Sequence, residues 1–197
     1  MQHKKITGII LNLRPHGDFD RIITVFSSEW GKVAVIAKGV RRIKSNRSFH
    51  LDLFNMVSME TELSRGGGNG IGIHYLREIT TLRPFQTMKK NAECFAGACL
   101  IAGFLSRILP ECAPQKNLYC LTQRTFEALD YDGRTRTLLL VYFLKALRLL
   151  GHLPHTLKKR ELRGTLEKTL IALDPQFTLT ARRTLGIFSK LESTRSS

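Results

Sequence analysis

The hydrophobic period of this chain changes near Pro84, and that change dictates two kinds of architecture in series. Upstream, apolar residues come in short runs rich in β-branched and aromatic side chains: Ile6, Ile9, Leu11 and Leu13, then Ile22, Ile23, Val25 and Phe26, then Val33, Val35 and Ile36. Short runs of this kind, bounded by turn residues, read as strands. Pro15-His16-Gly17-Asp18 and Glu29-Trp30-Gly31-Lys32 supply the first two turns. A fourth strand is predicted over Leu51–Leu63, where Leu53, Asn55, Val57 and Met59 alternate, and a fifth over Ile71–Ile79, after the glycine-rich loop 64–70. Five short strands in about 80 residues predict a small barrel, for which the five-stranded OB-fold is the commonest solution.

Downstream, Met88, Ala92, Phe95, Cys99, Ala102, Leu105 and Leu109 recur at steps of three and four, the stripe of one amphipathic helix closed by Pro110. Asn117–Leu129 gives a second helix. Arg136–Leu150 is apolar almost all round and stops at Gly151 with Pro154 beyond, so it is predicted as the buried, central helix of a bundle. Leu162–Leu173 and Thr180–Leu191 are weaker candidates. The expected fold class is α+β: an OB-type barrel domain over residues 1–82 and a helical domain over 83–197.

Composition matters because the charge is so uneven. Lys and Arg total 31 against 16 Asp and Glu, a net charge of +15 with a pI near 10.2, the balance of a protein that meets phosphate backbones or anionic membranes. One cationic stretch stands out, AKGVRRIKSNR at residues 37–47: from Gly31 to Leu51 the chain carries Lys32, Lys38, Arg41, Arg42, Lys44 and Arg47 and no carboxylate. Ordinary surfaces intersperse both signs. The segment falls after the third predicted strand, so Lys38, Arg41, Arg42, Lys44 and Arg47 project from an irregular connection able to follow a sugar-phosphate chain. A plain solvated charge run is the bland alternative. Arg14, Arg21 and Lys32, near the ends of predicted strands, widen the expected footprint.

Other chemistries find little support. There is no phosphate-binding GxxxxGK[ST] loop and no HExxH, and the glycines at 66, 67, 68, 70 and 72 do not space as GxGxxG. Asp18 and Asp20 read as turn chemistry beside Arg21. Cys94, Cys99, Cys112 and Cys120 form no CxxC pair and read as free, mostly buried thiols, and His152 and His155 alone do not make a metal site, so no metal or cofactor is expected. No nucleophile, base and oxyanion pocket assemble, so an enzyme is not expected. The longest apolar run, Leu138–Leu144, falls far short of a spanning helix. The apolar stretch after Lys4 and Lys5 is interrupted by Thr7 and Gly8 and lacks a small-residue cleavage site, which predicts a cytoplasmic protein without a membrane role.

Residues 13–45, LRPHGDFDRIITVFSSEWGKVAVIAKGVRRIKS, closely resemble the N-terminal signature of the RecO family of bacterial recombination mediators. The resemblance continues more loosely through LDLFNMVSMETEL, SRGG and HYLREI to about residue 80 and through the helices to LLGHLP at 149–154. It implies an N-terminal OB-fold and a helical C-terminal domain. It also implies sequence-independent binding of single- and double-stranded DNA, annealing of complementary strands, and loading of the RecA recombinase, together with RecR, onto DNA covered by single-strand-binding protein. The family's basic loop, carried over as Lys38, Arg41, Arg42, Lys44 and Arg47, contributes to the DNA surface, and a nucleoid-associated location in a bacterial cytoplasm follows. One departure is plain: many members carry a four-cysteine zinc site shortly after the LLGHLP motif, whereas here HTLKKRELRGTLEK follows without cysteine, and the chain is shorter than is typical of the family. Residues 158–163, KKRELR, read as a solvated helix start, with a second DNA contact as the alternative.

One other functional class stays open and a third is disfavoured. An RNA-binding OB protein, such as a ribosome-associated factor, has the same charge and barrel. The aromatics of the first half (Phe19, Phe26, Trp30, Phe49, Phe54 and Tyr75) mostly fit core or turn positions, which predicts binding driven mainly by the backbone. A nuclease or ligase fragment lacks its carboxylate cluster and nucleotide loop. Beyond residue 80, 19 Lys and Arg face 9 Asp and Glu on Leu- and Phe-rich helices, a combination suited to the acidic, apolar-ended tail of single-strand-binding protein.

Overall fold

The computed structural model describes residues 2–42, 46–64, 73–131, 135–154 and 162–173. Five strands, β1 (Gln2–His16), β2 (Asp20–Ser27), β3 (Gly31–Ala37), β4 (Met56–Ser64) and β5 (Ile73–Arg83), precede the helices α1 (Gln86–Lys90), α2 (Ala92–Ile108), α3 (Lys116–Tyr131), α4 (Thr135–Leu149) and α5 (Leu162–Leu173). A 3-10 turn, Asn46–His50, lies between β3 and β4.

The strands close into a barrel in the order β1-β2-β3-β5-β4. Four pairings are antiparallel, and β3 and β5 close the barrel in parallel, with Val35 opposite His74 and Ile36 opposite Tyr75. This is the OB-fold arrangement expected from the strand pattern. β1 is long enough to pair with β4 from Gln2 to Ile9 and with β2 from Gly8 to His16, and a bulge between Ile10 and Asn12 interrupts the β2 ladder. One extra residue inverts the alternation. Ile6 and Ile10 therefore face the interior before the bulge and Leu13 after it, joining Ile23, Val25, Val33, Val35, Val57, Met59, Leu76 and Ile79.

The fourth strand starts at Met56, not Leu51. Phe54 takes a left-handed conformation (φ 66) and its N–H donates to the Ile10 carbonyl (2.9 Å), while Ile10 N–H donates to the Asn55 carbonyl (3.0 Å). Leu51 and Phe54 are buried all the same, so their apolar pattern reports a packed turn, not a ladder. β5 runs four residues past its expected end, to Arg83.

Two compact units partition the chain. The first holds the residues up to Phe85 and adds Leu105–Cys120. That added segment covers the outer face of the β2–β3 hairpin: Cys112 N–H donates to the Lys32 carbonyl (2.9 Å), and Phe26, fully buried, meets the edge of Tyr119 at 5.6 Å. Gly31 is required there twice over, since its φ is +69 and a Cβ would lie 2.1 Å from the Ala113 carbonyl oxygen.

The second unit comprises Gln86–Phe104 and the residues from Leu121 on. The single helix expected across Met88–Leu109 is broken at Asn91, whose side-chain oxygen accepts from the N–H groups of Glu93 (3.0 Å) and Cys94 (3.1 Å) and caps α2. α4 is buried on one side only, through Leu139, Tyr142, Phe143, Ala146 and Leu147, and leaves Val141 and Leu149 exposed, so it is not the enclosed helix its composition suggests. It ends as expected at Gly151 (φ +76), with Gly151 N–H on the Arg148 carbonyl (3.0 Å) and His152 N–H on that of Leu147 (2.8 Å). The Tyr142 hydroxyl shares a hydrogen bond with Thr122 Oγ1 (3.1 Å), and burial pushes its phenol far above the ordinary value. The cysteines correct another expectation: Cys94 is buried, but Cys99, Cys112 and Cys120 are exposed. Thr180–Leu191 lies outside the described residues. Among those described, no helix is long and apolar enough to cross a membrane.

Candidate nucleic-acid interface

The basic connection leaves β3 at one end of the barrel, and its backbone N–H groups pin it there. Gly39 N–H donates to Asp20 Oδ1 (2.8 Å), Arg41 N–H to the Phe19 carbonyl (2.9 Å), and Arg42 N–H to the Gly39 carbonyl (3.2 Å). The β1–β2 turn and the basic loop therefore form one surface. Asp20 serves here as a loop brace, which agrees with its reading as turn chemistry.

Lys38, Arg41 and Arg42 are exposed, and Arg47 is half-buried. Arg47 donates through Nη1 to the Leu76 carbonyl (3.3 Å) and through Nη2 to that of Lys38 (3.2 Å), tying the 3-10 turn to both the loop and β5. Arg41 Nη1 reaches the Gly17 carbonyl (3.3 Å). Four expected site residues are thus brought together. Lys44, the fifth of the loop, lies outside the described residues.

The three outlying candidates divide. Arg21 stands opposite Ala37, the residue before Lys38, and so adjoins the base of the loop. Arg14 is exposed on β1 opposite Ile22, the next position in register, so its side chain leaves the opposite face of the sheet from that of Arg21. Lys32 sits at the other end of β3, where its Nζ donates to the Ser106 carbonyl (2.7 Å) in the last turn of α2. A cation on a helix C-terminal carbonyl is a structural contact. Of KKRELR, only Leu162 and Arg163 fall within the described residues, as the start of α5.

Most of the aromatic rings occupy core or turn positions, as expected, but the turns leave two of them open to solvent. Phe26 and Phe54 are core residues, but Phe19 is 50% exposed and Phe49, on the 3-10 turn, 83%. The Arg42 guanidinium lies 5.2 Å from the centre of the Phe19 ring, and Lys38 Nζ lies 4.5 Å from that of Tyr75. Tyr75 stands on β5 opposite Glu62, whose carboxylate is buried and paired with Arg77. Lys38, Arg47, Tyr75 and the Glu62–Arg77 pair line a concavity of about 330 Å³. The signal in the sequence is Phe19 itself, an apolar ring between two aspartates in a turn, where no strand carries it inward. Elsewhere in the barrel His74, hydrogen-bonded to Thr61 Oγ1 (3.1 Å), is held below its ordinary value by burial and by the charge of Lys4. Among the described residues no three of His, Cys, Asp or Glu gather as metal ligands.

Such a surface offers cations for phosphates and rings for bases. The sequence matches the family model described as Recombination protein O N terminal over residues 1–85 and that described as Recombination protein O C terminal over residues 90–158. The DNA repair protein RecO of Caldanaerobacter subterraneus subsp. tengcongensis is 30% identical over 158 residues, covering 78% of this chain and 60% of that protein. Its counterpart in Syntrophobacter fumaroxidans is 27% identical over 154 residues, 78% of this chain and 59% of that protein. The one in Listeria monocytogenes serovar 1/2a is 26% identical over 151 residues, 77% and 57%. The chain spans less than two thirds of the length of these relatives. With the two family models matched in sequence order, and a closed five-stranded barrel under the first, the chain belongs to the RecO family.

Proposed function

We propose that this chain is a DNA repair and recombination mediator that binds single- and double-stranded DNA without sequence preference, anneals complementary strands and helps to load RecA. The observation that carries the reading is the convergence of Lys38, Arg41, Arg42 and Arg47 at one end of an OB barrel in a chain with net charge +15. The relatives' name, DNA repair protein RecO, supports it. The mechanism is charge neutralisation and needs no bond-breaking step. Cations that screen two phosphate backbones at once let strands pair that otherwise repel, and backbone contacts leave Watson–Crick edges open. We assign DNA binding to residues 1–82, with Arg21 extending the loop surface and Lys44 and Arg14 as further phosphate contacts, and capture of the acidic tail of single-strand-binding protein to the basic helical residues 83–197. RecR is the expected partner in loading.

A strand-annealing assay on DNA precoated with single-strand-binding protein, without ATP, tests the reading. Annealing is expected to rise with protein up to coating and to fall as salt is added. DNA that is bound but pairs no faster than in the protein-free control would leave a passive binder, and a clear preference for RNA strands would favour the ribosome-associated alternative.

A further inference from the structure

We propose that Phe19 and Tyr75 are stacking platforms for unpaired nucleobases, each capped in the free protein by a cation of the basic loop that moves to phosphate when a single strand binds. The proposal rests on the DNA reading above and adds to it a basis for preferring single strands.

Half of Phe19 is exposed at the tip of a turn whose backbone carries the basic loop. The Arg42 guanidinium covers the ring at 5.2 Å. Tyr75 repeats the arrangement on β5 with Lys38 at 4.5 Å, and borders the 330 Å³ concavity beside Arg47. In the wall of that concavity the buried Glu62 carboxylate, opposite Tyr75, is paired with Arg77. Both caps come from one loop, four residues apart, so a strand whose phosphates draw Lys38 and Arg42 away would uncover both rings together.

The energetics favour that exchange. A cation over an exposed ring is worth about two- to fivefold in an equilibrium. A base stacked on an aromatic side chain contributes about five- to a hundredfold, and the displaced cation gains a phosphate. Duplex DNA offers phosphates to the same cations, but its bases are already stacked on each other. The rings therefore discriminate where the cations do not.

Binding of the full chain to oligothymidylate and to a mixed-sequence duplex, followed by fluorescence anisotropy, tests this with Phe19→Leu and Tyr75→Leu. Each variant is expected to lose about fivefold or more on the single strand, with duplex affinity within about twofold and the single-strand salt slope unchanged, because stacking releases no counterions. Tyr75→Phe keeps the ring and is expected to keep single-strand affinity, which separates stacking from damage to the barrel. Photocrosslinking of wild-type protein to iodouracil-substituted oligothymidylate is expected to mark Phe19 or Tyr75. Full single-strand affinity in both Leu variants, equal losses on single strand and duplex, or crosslinks confined to other residues would overturn the platforms and leave the DNA reading standing. Wild-type protein that binds neither oligonucleotide would overturn both.

Discussion

Arg41, Arg42 and Arg47 belong to one cationic segment yet have different work. Arg47 is half-buried and spends both terminal nitrogens on carbonyls of Leu76 and Lys38, whereas Arg41 and Arg42 are exposed. If each of the exposed pair neutralises one phosphate, Arg41→Ala with Arg42→Ala is expected to lower the slope of log affinity against log salt on single strands by roughly 1.4, at about 0.7 per contact. The loss is expected to be alike for unrelated sequences, and an unchanged slope would place the pair in solvent. His74 carries a different consequence. Burial first, and the Lys4 charge second, hold its imidazole below 6.5 in the folded chain. The unfolded chain then takes up the proton first, so this contribution to stability is complete above about pH 6.5 and is lost as pH falls through the window beneath that value. Urea midpoints at about pH 7.5 and pH 5.5 are expected to separate more for wild type than for His74→Gln. Equal separations would show that other groups carry the acid sensitivity.

Asn91 and the β1 bulge show how a short local device redirects an apolar pattern. The stripe from Met88 to Leu109 reads as continuous because Met88 in α1 and Cys94, Ala98, Ile101 and Leu105 in α2 are all buried. The break between them is made by an exposed side chain that hydrophobic spacing cannot register. Replacing Asn91 with Ala removes the acceptor for two N–H groups at the start of α2 and is expected to cost about 1 kcal/mol, read as a lower denaturant midpoint with the same slope. No loss would mean that α1 and α2 hold their junction by packing alone. The bulge at Leu11 has the corresponding effect in the barrel, since its extra residue moves the interior from Ile6 and Ile10 to Leu13.

Leu105–Cys120 belongs with the barrel although α1 and most of α2 separate it from β5. Its contacts with Phe26, Gly31 and Lys32 cover an outer face of the β2–β3 hairpin. A fragment of residues 1–85 is therefore expected to be less stable than the barrel in the full chain by about 2 kcal/mol or more, the scale of burying one Phe side chain. Trp30, the one tryptophan, reports both melts by fluorescence. Coincident transitions would support a barrel domain that ends near residue 82 and folds alone.

The β-to-α order, the five strands and the basic loop after the third were legible in the sequence, because alternation, helical spacing and charge density are local properties of neighbouring residues. The sequence alone also carried the family resemblance, which the two family models bear out. Which cations gather at the loop and which brace the fold was not legible: Lys32 reads like Lys38 until the carbonyl of Ser106, 74 residues away, accepts a hydrogen bond from its ammonium group. Nor was the availability of the rings. Phe26 and Phe19 lie on the same hairpin, one sealed by Tyr119 and the other left under Arg42, and only tertiary contacts decide that difference. Burial depends on what the rest of the chain brings to a side chain, and hydrophobic pattern records only the side chain's own preference.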